Sequence, residues 1–148
     1  MTCTFFGHRD APSKIEGTIR ETIEKLILEG VTCFYVGNNG NFDSMVYRQL
    51  KQLSGEYPHI RHYVVLAYMP TVQDEFDITD YGETIYPEGL ESVPPRFAIS
   101  KRNQWMVEKA NIVVTYVKYS TGGAAHAKKL SERKGKRVVE IEKNAIRY

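Results

Sequence analysis

The fold is decided by residues 31–43, which read Val31-Thr32-Cys33-Phe34-Tyr35-Val36-Gly37-Asn38-Asn39-Gly40-Asn41-Phe42-Asp43. An apolar run typical of a buried strand breaks into a loop of glycine and asparagine. That loop opens a helix with an aspartate in its first turn. Glycines let a ligand approach the backbone closely, and the unpaired N–H groups of a helix start favour oxyanions. The stretch therefore predicts a strand–loop–helix unit whose loop binds phosphate or ribose oxygens.

The same unit recurs along the chain, which predicts the fold class. Strands are expected at 2–6, 31–36, 62–68, 111–117 and 137–141. Helices are expected at about 11–29, 42–53, 98–109 and 124–134, the first of them capped by Asp10 with Pro12 in its first turn. Strands separated by helices form parallel β-α-β units, and right-handed crossovers wind them in both directions. We therefore predict an α/β, doubly wound, mostly parallel five-stranded sheet with helices on both faces.

Length and composition suit one globular domain over residues 1–148. The chain has 148 residues, of which 42% are hydrophobic and 26% charged. The net charge is only +2, which argues against nucleic acid and a membrane surface as partners. The sequence has no apolar run of about 18 residues, the length a membrane-spanning helix needs.

Two further features predict a cytoplasmic location. The first residues, Met1 to Arg9, lack the pattern of a signal peptide. The two cysteines, Cys3 and Cys33, sit in strand-like runs, where reduced and buried thiols are the usual occupants.

The middle of the chain, about residues 69–97, breaks the alternation of strands and helices. It contains prolines, glycines and the acidic stretch 74–77, and no long periodic segment. A long insertion in a compact domain is often functional. It is interpreted as a lid, a dimer contact or a solvated connection.

Loops that follow parallel strands converge at the carboxyl edge of the sheet, so their polar residues form one candidate site. Gly7, His8 and Arg9 follow the first strand, where Arg9 suits a phosphate and His8 a hydrogen bond or proton transfer. A surface ion pair for Arg9 and a structural role for His8 are the alternatives.

The second loop offers Gly37, Asn38, Asn39, Gly40 and Asp43 as ligand-binding residues. The two asparagines tolerate left-handed backbone and provide both donors and acceptors. Asp43 either holds ribose hydroxyls or simply stabilises the helix start, where a negative charge is favourable.

Two later segments complete the candidate site. Arg102 and Asn103 lie near the start of a helix, where a cation opposes the helix dipole unless an anion is close. Ser120 or Thr121 is expected to cap the fourth helix, and Gly122 and Gly123 expose backbone N–H groups there. The four histidines lack the spacing of metal ligands, so no metal is expected.

These motifs together resemble the SLOG superfamily, which unites the DNA-processing protein DprA with the LOG hydrolases, and within it the YpsA-like branch. The loop ending in Asn41-Phe42-Asp43 resembles the DprA-type G-x-x-x-G-x-D turn, and Lys101 to Met106 resembles its R-N-R helix start. Gly122-Gly123 falls at the family's GG loop. Residues 81–90 and 93–96 resemble the middle segment of the branch.

The resemblance implies a Rossmann-like fold that binds nucleotides or NAD-derived ligands, with no cofactor required. It also suggests a homodimer, because relatives often pair. One position departs from the LOG loop P-G-G-x-G-T-x-x-E: Lys129 stands where LOG enzymes have their glutamate. A lysine cannot stabilise an oxocarbenium-like transition state as a carboxylate does, so LOG-type hydrolysis is not implied.

Three functional hypotheses follow. The favoured one is a module that binds a small nucleotide-type ligand as a sensor or a sequestering protein. The second is an N-glycosidic hydrolase or transferase in which Asp43, Glu83 or Glu88 supplies the carboxylate. The weakest is a DprA-like nucleic-acid partner that uses the basic residues of 128–137.

Overall fold

The computed structural model describes residues 1–69 and 82–141. In this part of the chain six strands form one sheet. Their bounds are β1 Thr2–Gly7, β2 Cys33–Val36, β3 Arg61–Val65, β4 Thr84–Ile85, β5 Ile112–Tyr116 and β6 Arg137–Glu140. The strand order is β4-β3-β2-β1-β5-β6, and each neighbouring pair is parallel. The predicted α/β, Rossmann-like, parallel architecture is confirmed.

Four helices of the described chain cover the two faces of this sheet. They are α1 Glu16–Leu28, α2 Asn41–Glu56, α3 Ala98–Lys109 and α4 Gly123–Arg133. The core on one face joins α1 and α2 to β1 and β2, where the rings of Phe5 and Phe34 stack at 6.1 Å. The core on the other face joins α3 and α4 through residues such as Met106 and Leu130. Helices on both faces leave the strand ends as the place where loops meet.

The sheet has one strand more than the five predicted. The additional strand, β4, has two residues, and it pairs with Val64 and Val65 of β3. Two residues are too few to show any periodicity in a sequence. The rest of 82–97 contains two short 3₁₀ turns, Leu90–Ser92 and Pro95–Phe97, while predictions for 70–81 lie outside the described residues.

The first helix begins later than predicted, and Asp10 does not cap it. The backbone is extended at Pro12, and a 3₁₀ turn over Ser13–Ile15 leads into α1. The residue before a proline is disfavoured in helical geometry, which delays the helix start. Ile19, Ile23 and Leu26 recur at helical spacing in the sequence, which predicts a core-facing stripe, and all three are buried in α1.

No helix among the described residues is both long and apolar enough to span a bilayer.

Candidate functional site

A cavity of about 390 Å³ opens at the carboxyl ends of β1, β2 and β5. The chain passes from β1 outward to β2, β3 and β4, and then crosses to β5 on the other side of β1. The cavity therefore lies at the switch point of the strand order, where doubly wound sheets bind ligands. The predicted residues that line it are Gly7, His8, Arg9, Gly37, Asn39, Asp43, Arg102, Asn103, Thr121, Gly122 and Gly123.

Some predicted site residues do not line this cavity. Asn38 and Gly40, in the loop after β2, are not part of its wall. Ser120, in the loop after β5, is not part of it either. Glu83 and Glu88 are also absent and are exposed. Glu83 acts electrostatically on Arg61 and His62 at the beginning of β3, away from the carboxyl edge. Of the three candidate catalytic carboxylates, the structure thus places Asp43 alone in the wall.

The wall also contains residues that sequence reasoning missed. Apolar side chains of Phe5, Phe6, Ile99 and Met106 contribute to it. Tyr119, 55% exposed, lies at the rim, and its hydroxyl donates to Asp10 at 3.4 Å. A tyrosine in an exposed loop carries no periodic signal, and apolar residues in strands and helices are expected in a core whether or not they also line a cavity.

Gly40 brings the first two loops into contact. Its φ is +110° and its ψ is −174°, a region open almost only to glycine. A Cβ at this position would lie 2.5 Å from the Cα of Arg9. The next residue, Asn41, donates its N–H to the carbonyl of Arg9 at 2.9 Å. Gly40 is therefore a positioning residue, although it does not line the cavity.

Asp43 is buried beneath the second loop, where it accepts the N–H of Asn39 at 2.9 Å through Oδ2. Burial raises its pKa to about 6, while this hydrogen bond and the charge of Arg102 act in the opposite direction. Two N–H groups of this loop, those of Asn39 and Asn41, are thus used by the protein itself. The start of α2 is less open to a ligand than the sequence suggested.

Arg102 is the most buried charged side chain in the wall, with 3% of its surface exposed. Its Nε donates to Oδ1 of Asn103 and its Nη1 to the carbonyl of Val65, both at 3.0 Å. Burial lowers its pKa, and the charge of Asp43 opposes that shift. Arg102 and Asp43 both pack on Gly37, since a Cβ there would lie 2.9 Å from Nη1 and from Oδ2.

The start of α4 presents backbone N–H groups at the cavity, and within the described part of the chain no side chain caps them. Gly122, with φ +101°, is the N-cap, and no side chain caps the helix, so the prediction that Ser120 or Thr121 does so is wrong. Gly123 and Ala124 follow in the first turn and line the cavity. First-turn N–H groups have no partner within a helix, so they are available to an oxyanion.

His8 makes a contact that fits a structural role, which is the alternative that the sequence leaves open for this residue. Its Nε2 accepts the N–H of Lys118 at 2.8 Å, which connects the loop after β1 to the loop after β5. The ring also packs against Tyr119 at 4.5 Å. Partial burial lowers the pKa of His8, and the charge of Asp10 opposes the shift. A neutral ring keeps the acceptor on which this contact depends.

The basic segment of 128–137 is partly neutralised. Lys128 pairs with Glu140, and Lys134 lies 3.9 Å from Glu108. Arg137 pairs with Glu29 at 3.3 Å. Three of the six cations predicted as a nucleic-acid surface thus contact carboxylates, and the segment is not a uniform basic patch.

The fold resembles solved structures of DNA-processing protein A. The structure of DprA from Streptococcus pneumoniae matches with a TM-score of 0.70 and 13% identity over 94% of this chain and 49% of that one. A DprA structure from Helicobacter pylori, described by its single-stranded DNA binding mode, matches with a TM-score of 0.68 and 11% identity over 95% of this chain and 64% of that one. The chain thus spans about half the length of the first neighbour and slightly less than two thirds of the second.

No protein-family profile matches the chain, and no curated protein matches it.

The likeness to DprA corrects one prediction. Nucleic acid was set aside as a partner because the net charge is only +2, but a structural neighbour with this fold is described as binding single-stranded DNA. A charge averaged over a whole chain does not report on one cavity, so it was the wrong ground for exclusion. The likeness itself establishes a DprA-like Rossmann fold.

Proposed function

We propose that this protein binds single-stranded DNA at the carboxyl edge of its sheet, with a phosphate group held in the cavity. The observation that carries the proposal is the position of Arg102, a buried guanidinium in the cavity wall. Single-stranded DNA would bring a phosphate to this cation, and its flexible backbone can follow the loops around the rim.

Arg102 has N–H groups that could donate to such an anion. A guanidinium has five N–H groups, and two hydrogen bonds from Arg102 are formed within the described chain, to Asn103 and Val65. Asp43 attracts it electrostatically, but the two form no direct ion pair among the described residues. A desolvated, partly paired cation is costly, so an entering phosphate would gain a charge-assisted contact.

Two further groups on the rim fit the same anion. The N–H groups of Gly123 and Ala124 at the start of α4 favour negative charge through the helix dipole. Arg9 is exposed at the opposite loop and lines the cavity. One buried cation, one exposed cation and a helix start thus line one space, together with the carboxyl groups of Asp10 and Asp43.

The DprA-like fold supports this proposal, since the neighbour from Helicobacter pylori is described as binding single-stranded DNA. The motifs at Asp43, Arg102 and Gly122-Gly123 lead us to place the chain in the SLOG superfamily, with the YpsA-like branch as the finer assignment.

A free nucleotide is the second candidate ligand. The observation that favours it is the cavity volume, about 390 Å³, which lies at the low end of the range for small-molecule sites. A single nucleotide presents the same phosphate to Arg102 without a strand attached.

Binding of a labelled thymidine oligonucleotide, followed by fluorescence anisotropy, tests the proposal. The wild-type protein should bind the single strand saturably, and Arg102→Gln should weaken the affinity roughly 10- to 100-fold, the loss expected for one charge-assisted hydrogen bond. Arg9→Gln should weaken it less, because Arg9 is exposed and screened by salt.

Arg61→Gln is the matched control, since it removes the same charge from an exposed position at the beginning of β3. That position lies at the amino edge of the sheet, roughly 13 Å along the strand from the carboxyl edge, so the affinity should stay within a factor of two of wild type. Failure of the wild-type protein to bind a single strand saturably, or equal losses for Arg102→Gln and Arg61→Gln, would refute the proposal.

A further inference from the structure

The exposed phenylalanine and tyrosine side chains of residues 1–69 and 82–141 lie at the carboxyl edge of the sheet. They are Tyr68, Phe97 and Tyr119, which are between 47% and 55% exposed. Tyr68 and Tyr119 follow the ends of β3 and β5, and Phe97 directly precedes α3. Apolar residues scattered singly over a surface need no explanation, but three exposed rings at one edge indicate a surface that meets a partner.

Tyr119 is the one of these three rings that lines the cavity with Arg102. Its ring centroid lies 4.5 Å from that of His8, with 43° between the ring planes. Its hydroxyl donates to the carboxylate of Asp10 at 3.4 Å. The protein thus holds the ring from one side and at its hydroxyl end, while 55% of the residue stays exposed. The ring is fixed in place and remains accessible to a ligand in the cavity.

Asp10 determines which part of a DNA strand suits this ring. Its carboxylate lies beside the hydroxyl of Tyr119, and a negative charge there repels a phosphate. An uncharged nucleobase meets no such repulsion, and every base has a face that can stack on an aromatic side chain. The cavity wall therefore combines a buried cation suited to a phosphate with an exposed ring suited to a base.

We infer that Tyr119 stacks on an unpaired base of the bound strand. The inference rests on the proposed function, binding of single-stranded DNA, and adds a base contact to the phosphate contact at Arg102. A base in a single strand can turn onto a protein ring, whereas a base inside a duplex is already stacked on both sides. Because all four bases can stack, this contact should tolerate many sequences.

A thymidine strand and an abasic strand of the same length separate base contacts from phosphate contacts. Tyr119→Ala should weaken the affinity for a labelled thymidine oligonucleotide roughly 5- to 100-fold, the loss expected for one stacked base. The affinity for the abasic strand should not differ between this variant and wild type, because no base is present to stack. Tyr119→Phe is the matched control: it keeps the ring, so thymidine binding should stay within about threefold of wild type.

Fluorescence reports the contact directly. The chain has one tryptophan, Trp105, so Tyr119→Trp adds a second indole at the cavity. A base stacked on an indole quenches its fluorescence, so the thymidine strand should quench this variant more strongly than it quenches wild type. The abasic strand should cause no such additional quenching. This measurement tests the contact even if Tyr119→Ala folds poorly, which thermal melting would detect.

The outcomes separate this inference from the proposed function. Tyr119→Ala that bound the thymidine strand like wild type would overturn the inference. Equal losses for the thymidine and abasic strands would also overturn it, since the residue would then only support its loop, and so would equal quenching of Tyr119→Trp by both strands. In each case saturable binding that depends on Arg102 would leave the proposed function intact.

Two results would overturn the inference and the proposed function together. One is the absence of saturable binding to any strand. The other is displacement of the thymidine strand by thymidine 5′-monophosphate at similar concentrations, which would make a free nucleotide the ligand.

Discussion

Replacing Gly40 with alanine should destabilise the protein by about 2–5 kcal/mol, because two unfavourable effects add at this position. The backbone at φ +110° and ψ −174° is open almost only to glycine. The new methyl group would also meet the Cα of Arg9 at 2.5 Å, and a backbone atom cannot move aside as the end of a flexible side chain can. In a domain of this size the melting temperature should fall by roughly 5–15 °C.

Gly17→Ala is the matched control for this experiment. Gly17 lies in α1, its φ is not positive, and a Cβ there has nothing within 4 Å. Alanine should leave stability unchanged or raise it by up to about 1 kcal/mol through its better helix propensity. If Gly40→Ala melted within about 2 °C of wild type, a difference worth under ~1 kcal/mol, the close contact between the first two loops would be refuted.

The free energy of unfolding should depend on pH because the carboxyl group of Asp43 titrates differently in the folded and unfolded protein. The pKa of this carboxyl is raised to about 6 in the folded protein, mainly by burial, and is about 3.9 in an unfolded chain. The folded state therefore binds more protons than the unfolded state between about pH 4 and pH 6. The penalty for the buried charge is fully present above pH 6 and is relieved as the pH falls through that window.

Asp43→Asn isolates this contribution. The variant keeps an oxygen to accept the N–H of Asn39, but it has no charge to bury. At pH 7 it should be more stable than wild type by about 1–3 kcal/mol, given 1.36 kcal/mol for each pKa unit. Urea denaturation of both proteins from pH 7.5 to pH 4 should show this difference shrinking toward zero.

Other groups whose pKa is shifted do not disturb the comparison. Burial lowers the pKa of His8 and His62, and a hydrogen bond from Arg48 lowers that of Glu16, so each of these loses stabilising effect as the pH falls. They are present in both proteins and cancel in the difference. A difference that stayed constant over this pH range would contradict the assignment to Asp43.

Regular elements with a full apolar stripe were predictable from the sequence. The helix expected at 98–109 has those bounds in the structure, and the α1 stripe of Ile19, Ile23 and Leu26 is buried as its spacing required. Burial of an amphipathic face is a property of the local sequence, so local periodicity is enough to find it. The two-residue strand β4 has no such signal, because its pairing with β3 is set by tertiary structure.

The location of the candidate site was predictable from the sequence. Which of its polar groups are already paired within the protein was not. Topology alone placed Gly7, Gly37 and Gly122 at one edge of the sheet, and the structure has all three in one cavity wall. The sequence gives no sign that the side chain of Asp43 folds back onto the N–H of Asn39. Likewise, the ion pair of Lys128 with Glu140 depends on the position of α4 beside β6. Such contacts join separate elements, so they follow only from packing.

The hydrogen bonds that hold Arg102 in place affect the free energy of anion binding. A free arginine side chain has about 2 kcal/mol of rotamer entropy to lose when it becomes fixed. Hydrogen bonds to Asn103 and to the end of β3 restrict its rotamers within the folded protein. The ordering cost that usually accompanies capture of an anion has thus been met during folding. The guanidinium is preorganised, and the phosphate proposed to bind it would need no rearrangement of this side chain.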